Sequence, residues 1–310
     1  MDNIICVVGP TASGKTALAI ALAKALGGEV VSCDSMQIYR RMDIGTAKPT
    51  REEMQDIPHH MIDICDPTED FSVSRYTDMA TPIVEDILSR GKTAIIAGGT
   101  GLYVDSLIKG NHFVDVPATG HREILEARLE AEGVAPLLEQ LRTIDPDAAE
   151  HSQGNPRRII RALEVFYESG ETITAHNLRT KAIPPRYNPV WIGLDFTARS
   201  DLYARIDRRV EIMLEMGLMQ EIRELLTSGI PEKATAMQAI GYKEFVDALA
   251  GRCSLESAVQ QVQQSSRRYG KRQLTWFRHN PNMNWILRTP ETSQEEILEN
   301  ARQILRNFDK

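Results

Sequence analysis

From residue 1 to about residue 110, short apolar runs alternate with longer segments in which apolar residues recur every three or four positions. The apolar runs are 4–9 (IICVVG), 29–33 (EVVSC), 60–64 (HMIDI) and 93–99 (TAIIAGG). Continuous apolar runs of this length favour strands that are buried on both faces, and the periodic segments favour helices. The alternation therefore predicts parallel strands joined by crossover helices.

Residues 116–184 have a different pattern, with helical periodicity and little strand character. A strand pattern returns at 189–196 (PVWIGLDF), followed by a predicted helix from Ser200 to Ser228 and a Gln- and Arg-rich helix from Ser254 to Arg278. A last strand at 285–289 and a closing helix complete the chain. The helical stretch therefore interrupts an α/β pattern that resumes after it.

The composition is that of an ordinary globular protein, and it narrows the kinds of protein that the chain could be. The chain has 310 residues, 42% hydrophobic and 25% charged, with a formal net charge of −7. This charge argues against nucleic-acid binding by bulk charge and leaves room for local basic surfaces. The four cysteines form no C-x-x-C pair, and no apolar stretch suggests a signal peptide or a membrane span. We expect a cytoplasmic protein without a membrane segment.

The strongest local signal is GPTASGKT at residues 9–16, which matches G-x-x-x-x-G-K-[ST] between a predicted strand and a predicted helix. In such a P-loop, backbone N–H groups and the helix N-terminus bind phosphate oxygens, a lysine neutralises charge, and a threonine hydroxyl can ligate Mg²⁺. The pattern predicts diphosphate binding by Gly9, Pro10, Thr11, Ala12, Ser13, Gly14, Lys15 and Thr16, with Thr16 at the metal. It does not distinguish a nucleotide from any other diphosphate.

These signals together predict the fold class. We expect an α/β protein with a P-loop NTPase-like parallel sheet core, helices on both faces, and a helical insertion domain. Residues 1–115 and 185–310 form the predicted core, and residues 116–184 form the insertion. The segment 184–189 (PPRYNP) is the most linker-like part of the chain, and it lies where the insertion rejoins the core.

Polar residues follow two of the predicted strands. Asp34 ends the second strand, where ligands of parallel sheets bind, and it is interpreted as a metal ligand, a general base or a turn residue. The amide of Gln37 could read a nucleobase edge. The fourth strand ends in GGTG with Thr100 instead of the acid that holds Mg²⁺ in many P-loop enzymes. Asp63 could replace that acid. The missing acid therefore weakens the interpretation as a nucleotide-hydrolysing enzyme and does not exclude it.

Two basic clusters contrast with the acidic average. One comprises Arg157, Arg158 and Arg161, and the other, at 267–279, comprises Arg267, Arg268, Lys271, Arg272 and Arg278. A single cluster is usually a solvated helix face, whereas two clusters favour a surface for a polyanion. Arg122 in the insertion and Arg205, Arg208 and Arg209 on the helix that starts near Ser200 are further candidates, although the latter helix is also amphipathic.

A series of motifs along the chain resembles the bacterial tRNA dimethylallyltransferases, also called tRNA isopentenyltransferases. The motifs are GPTASGKT (9–16), DSMQIYRRMDIGTAKPT (34–50), PHHMIDI (58–64), GGTGLY (98–103), NPRRIIRALEV (155–165), IGYKE (240–244) and KRQLTWFR (271–278). The resemblance spans essentially the whole chain. It implies transfer of a dimethylallyl group from dimethylallyl diphosphate to the exocyclic amine of the adenine 3′ of the anticodon in tRNA, with release of diphosphate.

The resemblance also implies roles for particular residues. Asp34 matches the general base, Lys15, Thr16 and Thr100 belong to the catalytic centre, and Arg205 or Arg209 assists the diphosphate. The residues expected to contact the extruded adenine or the anticodon stem-loop are Asp34, Ser35, Met36, Gln37, Thr100, Arg122, Arg157, Arg158, Ile159, Ile160, Arg161, Met237, Gln238, Gly241 and Tyr242, together with Lys271 and Arg272 of the second cluster. Mg²⁺ is the expected cofactor, and a monomer the expected state.

The residues alone are also compatible with other functions. A small-molecule or nucleotide kinase would use the P-loop for ATP and the insertion as a lid. A non-catalytic P-loop protein that binds RNA is a third interpretation. Relatives that prenylate free adenine nucleotides share the implied fold, and the two basic clusters favour tRNA over such nucleotides.

Overall fold

The computed structural model describes residues 3–110, 120–181 and 183–308. It divides into two compact units, the first formed by Met1–Gly110 with Arg186–Lys310 and the second by Asn111–Pro185. The boundary expected at residues 115 and 116 lies outside the described residues. No described helix is both long enough and apolar enough to span a membrane.

The first unit contains one six-stranded sheet. Its strands are β1 Ile4–Val8, β2 Glu29–Ser32, β3 His59–His60, β4 Ala94–Gly98, β5 Val190–Phe196 and β6 Met283–Arg288. Their order is β3-β2-β4-β1-β5-β6, and every neighbouring pair is parallel. The predicted α/β class with a parallel sheet is confirmed. Because β1 lies between β4 and β5, the loop that follows β1 opens at the middle of the carboxyl edge.

Helices of the first unit cover both faces of this sheet. They are α1 Lys15–Leu26, α2 Arg51–Met54, α3 Val73–Ser89 and α4 Gly101–Lys109. Along β1, Ile4, Cys6 and Val8 pack in one core with α3 and α4, whereas Ile5 and Val7 pack in another with α1. Side chains alternate between the faces of a strand, so burial on both faces explains why the strand is apolar at every position.

The second unit is a small helical bundle with its own core. Its helices are α5 His121–Glu132, α6 Val134–Ile144, α7 Pro146–Ser152, α8 Pro156–Ser169 and α9 Ile173–Lys181. Leu125, Leu137, Leu141, Ile159 and Leu163 form the centre of this core. Apolar residues at helical spacing in α8 thus face inward, and its arginines stay on the outside.

The remaining helices of the first unit are α10 Arg199–Glu215, α11 Leu218–Thr227, α12 Lys243–Leu249, α13 Leu255–Arg278 and α14 Gln294–Phe308. The single helix predicted from Ser200 to Ser228 is therefore wrong. Gly217 breaks it by adopting a left-handed conformation, with φ 102°. Glycine adopts this conformation without steric cost, and the amphipathic pattern continues across the break.

The predicted strand at 60–64 is also shorter than expected. Only His59–His60 pair with β2, because Met61 and Asp63 have φ values of 62° and 56°. Such values are incompatible with a strand, whatever the apolar pattern. The chain turns here, and Asp63 pairs with Lys48, whose side chain is largely buried, as described below.

Candidate active site

The P-loop connects β1 to the first turn of α1. Gly9 has φ 144°, and a Cβ atom on it would lie 2.4 Å from the carbonyl oxygen of Leu194 on the neighbouring strand. Gly14 is left-handed, with φ 99°, and precedes the helix. The buried hydroxyl of Ser13 has no hydrogen-bond partner among the described residues. A left-handed turn before an uncapped helix N-terminus is the geometry that binds an anion.

Lys15 is a half-buried cation at the start of α1. Its Nζ donates a hydrogen bond to the carbonyl oxygen of Pro10 at 2.6 Å. Burial, and then the charge of nearby Arg209, lower the pKa of Lys15 to about 7, while Asp34 acts in the opposite direction. Burial also lowers the pKa of Arg209. Two desolvated cations beside a phosphate loop are stabilised by a bound anion.

Arg205 and Arg209 both contact the P-loop from one face of α10. The Nε of Arg205 donates to the carbonyl oxygen of Ala12 at 3.1 Å, and Nη1 of Arg209 donates to the hydroxyl of Thr11 at 3.3 Å. Arg205 is exposed and lies over the ring of Phe196, whereas Arg209 is half-buried. Both arginines named from the sequence therefore reach the loop, and Arg209 is the one that also faces Asp34.

Asp34 follows β2 at the carboxyl edge of the sheet. Its Oδ1 accepts hydrogen bonds from the backbone N–H groups of Met36 at 2.9 Å and Gln37 at 3.3 Å. The backbone N–H of Ser35 donates to the Thr100 hydroxyl at 3.1 Å. These bonds fix the turn after β2 against the loop after β4. They engage Oδ1 and leave Oδ2 of Asp34 available to accept a proton or to bind a metal ion.

Gln37 and Asp63 do not lie as the sequence suggested. The amide nitrogen of Gln37 donates to the carbonyl oxygens of Thr46 and Ala47, and its Oε1 accepts from Ser32. Reading a nucleobase edge would break these bonds, so in this structure Gln37 holds the loop that contains Thr46. Asp63 pairs with Lys48 at 2.5 Å and lines neither cavity described below, which argues against a role in holding Mg²⁺.

Two adjoining cavities open at this edge of the sheet. The larger, about 410 Å³, has mainly apolar walls that include Ile206, Met213 and Val262. The smaller, about 90 Å³, is polar and contains Lys15 and Thr16. The residues that line both are Thr11, Asp34, Thr46, Arg209 and Tyr269. An apolar chamber thus meets a phosphate-binding chamber, and a carboxylate lies where they meet.

Tyr269 is a residue of this shared wall that the sequence analysis did not single out. Burial raises its pKa to about 12, and the nearby carboxylate of Asp34 raises it as well. The phenol therefore stays neutral near pH 7. Arg272, one helical turn later on α13, lies over the ring of Tyr269 at 5.5 Å.

Gln273 is another functional residue that the sequence analysis missed. Its Oε1 accepts from the backbone N–H of Thr11 at 2.8 Å, and its Nε2 donates to the carbonyl oxygen of Gly99 at 2.9 Å. A Cβ atom on Gly99 would lie 2.1 Å from that nitrogen. Gln273 thus joins the P-loop to the loop after β4. Its place on the buried face of α13, next to Leu274 and one turn before Phe277, was the available signal.

Replacing Gln273 with leucine is expected to lower the free energy of unfolding by about 1–3 kcal/mol, because the buried carbonyl of Gly99 loses its donor. Denaturant unfolding monitored by circular dichroism measures this change. Gln261→Leu is the matched control, since Gln261 lies on the same helix, is exposed and donates to the nearby hydroxyl of Ser257. Equal destabilisation by the two substitutions would contradict the bridging role.

Arg288 supports the P-loop from beneath and was likewise missed. It is the last residue of β6 and is buried, with Nη1 donating to the carbonyl oxygen of Ser13 at 3.3 Å. Its guanidinium lies 5.2 Å from the ring centre of Phe196, and burial lowers its pKa. An arginine that ends an apolar strand is the sequence signal that could have indicated it.

The predicted tRNA-binding residues of the first unit lie in different surroundings. Ser35, Met36, Gln238, Gly241 and Arg272 line the larger cavity. By contrast, Met237 and Tyr242 are fully buried in an apolar core, so the direct side-chain contacts predicted for them do not fit this structure. They support the segment around Gly241 instead. Lys271 is exposed on α13 and lines neither cavity.

Part of the second basic cluster is neutralised by acids of the same unit. Arg267 pairs with Asp207 at 2.6 Å, and Arg278 pairs with Asp195 at 2.9 Å. These two arginines tie α13 to α10 and to β5. The positive surface of α13 is therefore smaller than the sequence suggested.

The helical unit carries the first basic cluster on α8. Arg157, Arg158 and Arg161 are exposed, while Ile159 and Ile160 are buried in the core of the unit. The predicted contacts of these two isoleucine side chains with RNA therefore do not fit either.

Acids neutralise part of this cluster as well. Arg161 and Arg122 both lie near the buried Glu164, at 2.8 and 3.8 Å, and Arg122 also pairs with Glu126. Among the described residues, Arg157 has no acidic partner within salt-bridge distance.

The oxygen groups at the smaller cavity fit a magnesium ion that is shared with a bound diphosphate. Mg²⁺ is usually held by one or two protein oxygens together with substrate phosphates and water. The exposed hydroxyl of Thr16 and the carboxylate of Asp34 line this cavity. Within the described ranges, no group of three or more His, Cys, Asp or Glu side chains could hold a metal by itself.

Known proteins resemble this chain over nearly its whole length. A family model described as IPP transferase matches residues 37–280. The chain is 44% identical to a tRNA dimethylallyltransferase of Acetivibrio thermocellus, over 99% of this chain and 99% of that protein. It is 46% identical to a tRNA dimethylallyltransferase of Caldanaerobacter subterraneus, over 98% of this chain and 97% of that protein.

Solved structures resemble it as well. The full-length tRNA isopentenylpyrophosphate transferase of Bacillus halodurans is 44% identical, with a TM-score of 0.73 over 99% of this chain and 98% of that chain. A eukaryotic dimethylallyltransferase acting on tRNA is 28% identical, with a TM-score of 0.82 over 98% of this chain and 79% of that chain. The fold is therefore shared with proteins of distant sequence.

Proposed function

Since this chain belongs to the IPP transferase family, we propose that it transfers a dimethylallyl group from dimethylallyl diphosphate to the exocyclic amine of the adenine 3′ of the anticodon in tRNA. The observation that carries this proposal is the position of Asp34, on the wall shared by the apolar cavity and the phosphate-binding cavity. A proton acceptor lies there between the place for a leaving diphosphate and the place for an acceptor base.

The smaller cavity suits the diphosphate, and the apolar cavity suits the dimethylallyl group together with the adenine that accepts it. In the reaction the allylic C–O bond breaks, its electron pair leaves with the diphosphate, and the adenine amine forms the new C–N bond. Lys15 and Arg209 lie where negative charge develops on the departing oxygen. Fixed cations in a partly desolvated site stabilise such charge more than water does.

Asp34 is proposed as the general base. The amine lone pair of adenine is delocalised into the ring, so the nitrogen must lose a proton as the bond forms. Two backbone N–H groups hold Oδ1 of Asp34 in place, which leaves Oδ2 to accept that proton. Thr100 assists by holding the turn that begins at Ser35.

Arg209 is the better candidate for direct contact with the diphosphate. It lines both cavities and touches the P-loop at Thr11. Arg205 is proposed to orient the loop through the carbonyl of Ala12. Thr16 would hold Mg²⁺, and when bound this ion supplies positive charge to the leaving diphosphate.

The acceptor must leave its stack before its amine can reach Asp34, as enzymes that modify bases generally require. Ser35, Met36, Gln238, Gly241 and Arg272 are proposed to surround the extruded adenine, since they line the larger cavity. In the helical unit, the exposed arginines of α8 are proposed to contact RNA phosphates. We further propose that the chain is cytoplasmic. We propose a monomer because residues of one unit of one chain line both cavities.

A single assay tests the proposal. The chain is incubated with labelled dimethylallyl diphosphate, labelled ATP and unmodified tRNA, and the label that moves is identified. We expect the prenyl label to appear in tRNA and no phosphoryl label to move. No observation here favours a kinase, and phosphoryl transfer without prenyl transfer would overturn the proposal.

Binding of tRNA is expected to weaken steeply as salt rises, because counterions are released from RNA phosphates. Arg157→Ala should reduce the slope of log affinity against log salt by about one, since this side chain is exposed and lacks an acidic partner in the described part of the chain. Arg142→Ala is the control, because Arg142 is exposed in the same unit and pairs with Glu139. Filter binding at several salt concentrations measures both slopes. An unchanged slope for Arg157→Ala would exclude a phosphate contact by that residue.

A further inference from the structure

A short segment outside any helix or strand, residues 42–48, forms part of the wall of both cavities. We call this segment the strap. Gly45 and Thr46 line the larger cavity, and Thr46 and Ala47 line the smaller one. Ala47 has φ 47°, in a region that residues other than glycine seldom adopt. An unusual backbone at a cavity wall needs contacts that hold it.

Glu221, in the first turn of α11, holds the strap by its backbone. Its Oε2 accepts hydrogen bonds from the N–H groups of Asp43 at 2.8 Å and Ile44 at 2.7 Å. Its Oε1 accepts from the N–H of Gly45 at 3.1 Å and from the hydroxyl of Tyr242 at 2.7 Å. One carboxylate thus satisfies three consecutive backbone donors.

A carboxylate is required at this position because all four groups around it are donors. Glutamine has the same shape, but its amide nitrogen would face N–H groups that it cannot accept from. Aspartate keeps both oxygens but is shorter by one methylene, so it withdraws them from the strap. Hydrogen bonds to a charged acceptor are also stronger than those to a neutral one.

The opposite side of the strap is held by other residues. The amide of Gln37 donates to the carbonyl oxygens of Thr46 and Ala47, and Lys48 donates to the carbonyl oxygen of Tyr39. A Cβ atom on Gly45 would lie 2.4 Å from the ring of Tyr242, so the strap packs directly on that ring. The strap is therefore held between Glu221 and Gln37, with Thr46 facing the cavities.

We infer that Glu221 is a positioning residue for the allylic diphosphate, acting through the strap. The inference rests on the function proposed above. Thr46 lines both cavities together with Asp34 and Arg209, so displacement of the strap alters the space between the general base and the diphosphate. Glu221 itself lines neither cavity. Its effect is exerted at a distance, by fixing the backbone of residues 43–45.

Three variants of the full chain test this role. Glu221→Gln removes the charge and one acceptor. Glu224→Gln is the matched control, since Glu224 is exposed one turn later and accepts from Gln220. Tyr242→Phe removes the hydroxyl that donates to Glu221 and also contacts the backbone of Gly45, and it leaves the three backbone N–H groups bound to Glu221. If Glu221→Gln does not fold, Glu221→Asp replaces it and is expected to give effects in the same direction.

Two readouts do not depend on catalysis. In Glu221→Gln we expect the amides of residues 43–45 to exchange with deuterium about tenfold faster or more, because their acceptor is weakened. We expect the dissociation constant for inorganic diphosphate, measured by calorimetry, to rise about fivefold. Tyr242→Phe and Glu224→Gln should change either value by less than about twofold.

The kinetic readout is kcat/KM for dimethylallyl diphosphate with tRNA saturating, which should fall about tenfold in Glu221→Gln and little in Glu224→Gln. Faster amide exchange with unchanged diphosphate affinity and unchanged kcat/KM would show a purely structural contact and overturn the inference. Unchanged amide exchange would overturn it as well. If the unmodified chain binds diphosphate but transfers no prenyl group, the proposed function fails, and the exchange and calorimetry measurements still decide the role of Glu221.

Discussion

Replacing Asp34 with asparagine is expected to lower turnover by about 10²–10⁴-fold, the usual contribution of a general base. Asparagine retains an oxygen that can accept from the backbone of Met36 and Gln37, so the turn after β2 stays intact. Only the ability to take up a proton is lost. Among the described residues that line either cavity, Asp34 is the only acid, so no neighbour replaces it. Single-turnover transfer of the labelled prenyl group to tRNA measures the rate.

Binding of tRNA by Asp34→Asn should stay within about threefold of the unmodified chain, because the substitution alters the chemistry and not the RNA surface. Asp63→Asn is the matched control, since Asp63 is exposed, pairs with Lys48 and lines neither cavity. We expect it to turn over within about threefold of normal. Near-normal turnover by Asp34→Asn would remove this residue from the mechanism.

Replacing Lys15 with methionine is expected to lower kcat/KM for dimethylallyl diphosphate by about 10²–10³-fold, because a cation beside the leaving group is removed. Methionine keeps much of the side-chain volume, so the P-loop should still fold. Lys24→Met is the control, since Lys24 lies on the same helix and is exposed. Steady-state kinetics with saturating tRNA measures the loss, and equal effects of the two substitutions would contradict the role of Lys15.

The lowered pKa of Lys15, about 7 in the ligand-free chain, gives this prediction a pH dependence. Above pH 7 the free amine predominates, and a bound diphosphate favours the charged form, so binding should take up a proton. Affinity for the diphosphate should therefore fall as pH rises above 7. Calorimetry at pH 8 in buffers of different ionisation enthalpy measures the proton uptake, and Lys15→Met should show correspondingly less.

The lowered pKa of Lys15 also affects the free energy of unfolding. Between about pH 7 and pH 10.5 the unfolded chain holds more protons at Lys15 than the folded chain does. The free energy of unfolding of the ligand-free chain should therefore rise with pH across this interval, relative to Lys15→Met. Below pH 7 the cost of burying the charged amine is fully present.

The local sequence was sufficient to predict the sheet and the P-loop. Strands such as Ile4–Val8 are apolar at every position, because both faces are buried, and this signal lies within five residues. The P-loop pattern likewise needs only its own eight residues and the elements on either side. The same local reasoning failed at Gly217 and at Met61, where a left-handed backbone interrupts an apolar pattern that continues through it.

The contacts that complete the site could not be predicted, because they join residues that are far apart in the chain. Gln273 binds the backbone of Thr11 across 262 positions, and Glu221 binds that of Ile44 across 177. A glutamine or a glutamate on an amphipathic helix gives no sign that it will meet a backbone donor from elsewhere. The burial of individual side chains could not be predicted either. Met237 and Tyr242 are buried, so they support the site from the apolar core and do not line it.

The sequence by itself determined the chemistry available to this protein: a phosphate loop, a carboxylate at a strand end and basic helices, all carried by residue types at fixed spacing. Only the tertiary structure decided which of these groups share a cavity. It brought Asp34, Arg209 and Lys15 together and paired Arg267 and Arg278 with acids. The physical reason is that spacing along the chain specifies local backbone geometry, whereas desolvation and charge pairing depend on packing between distant segments.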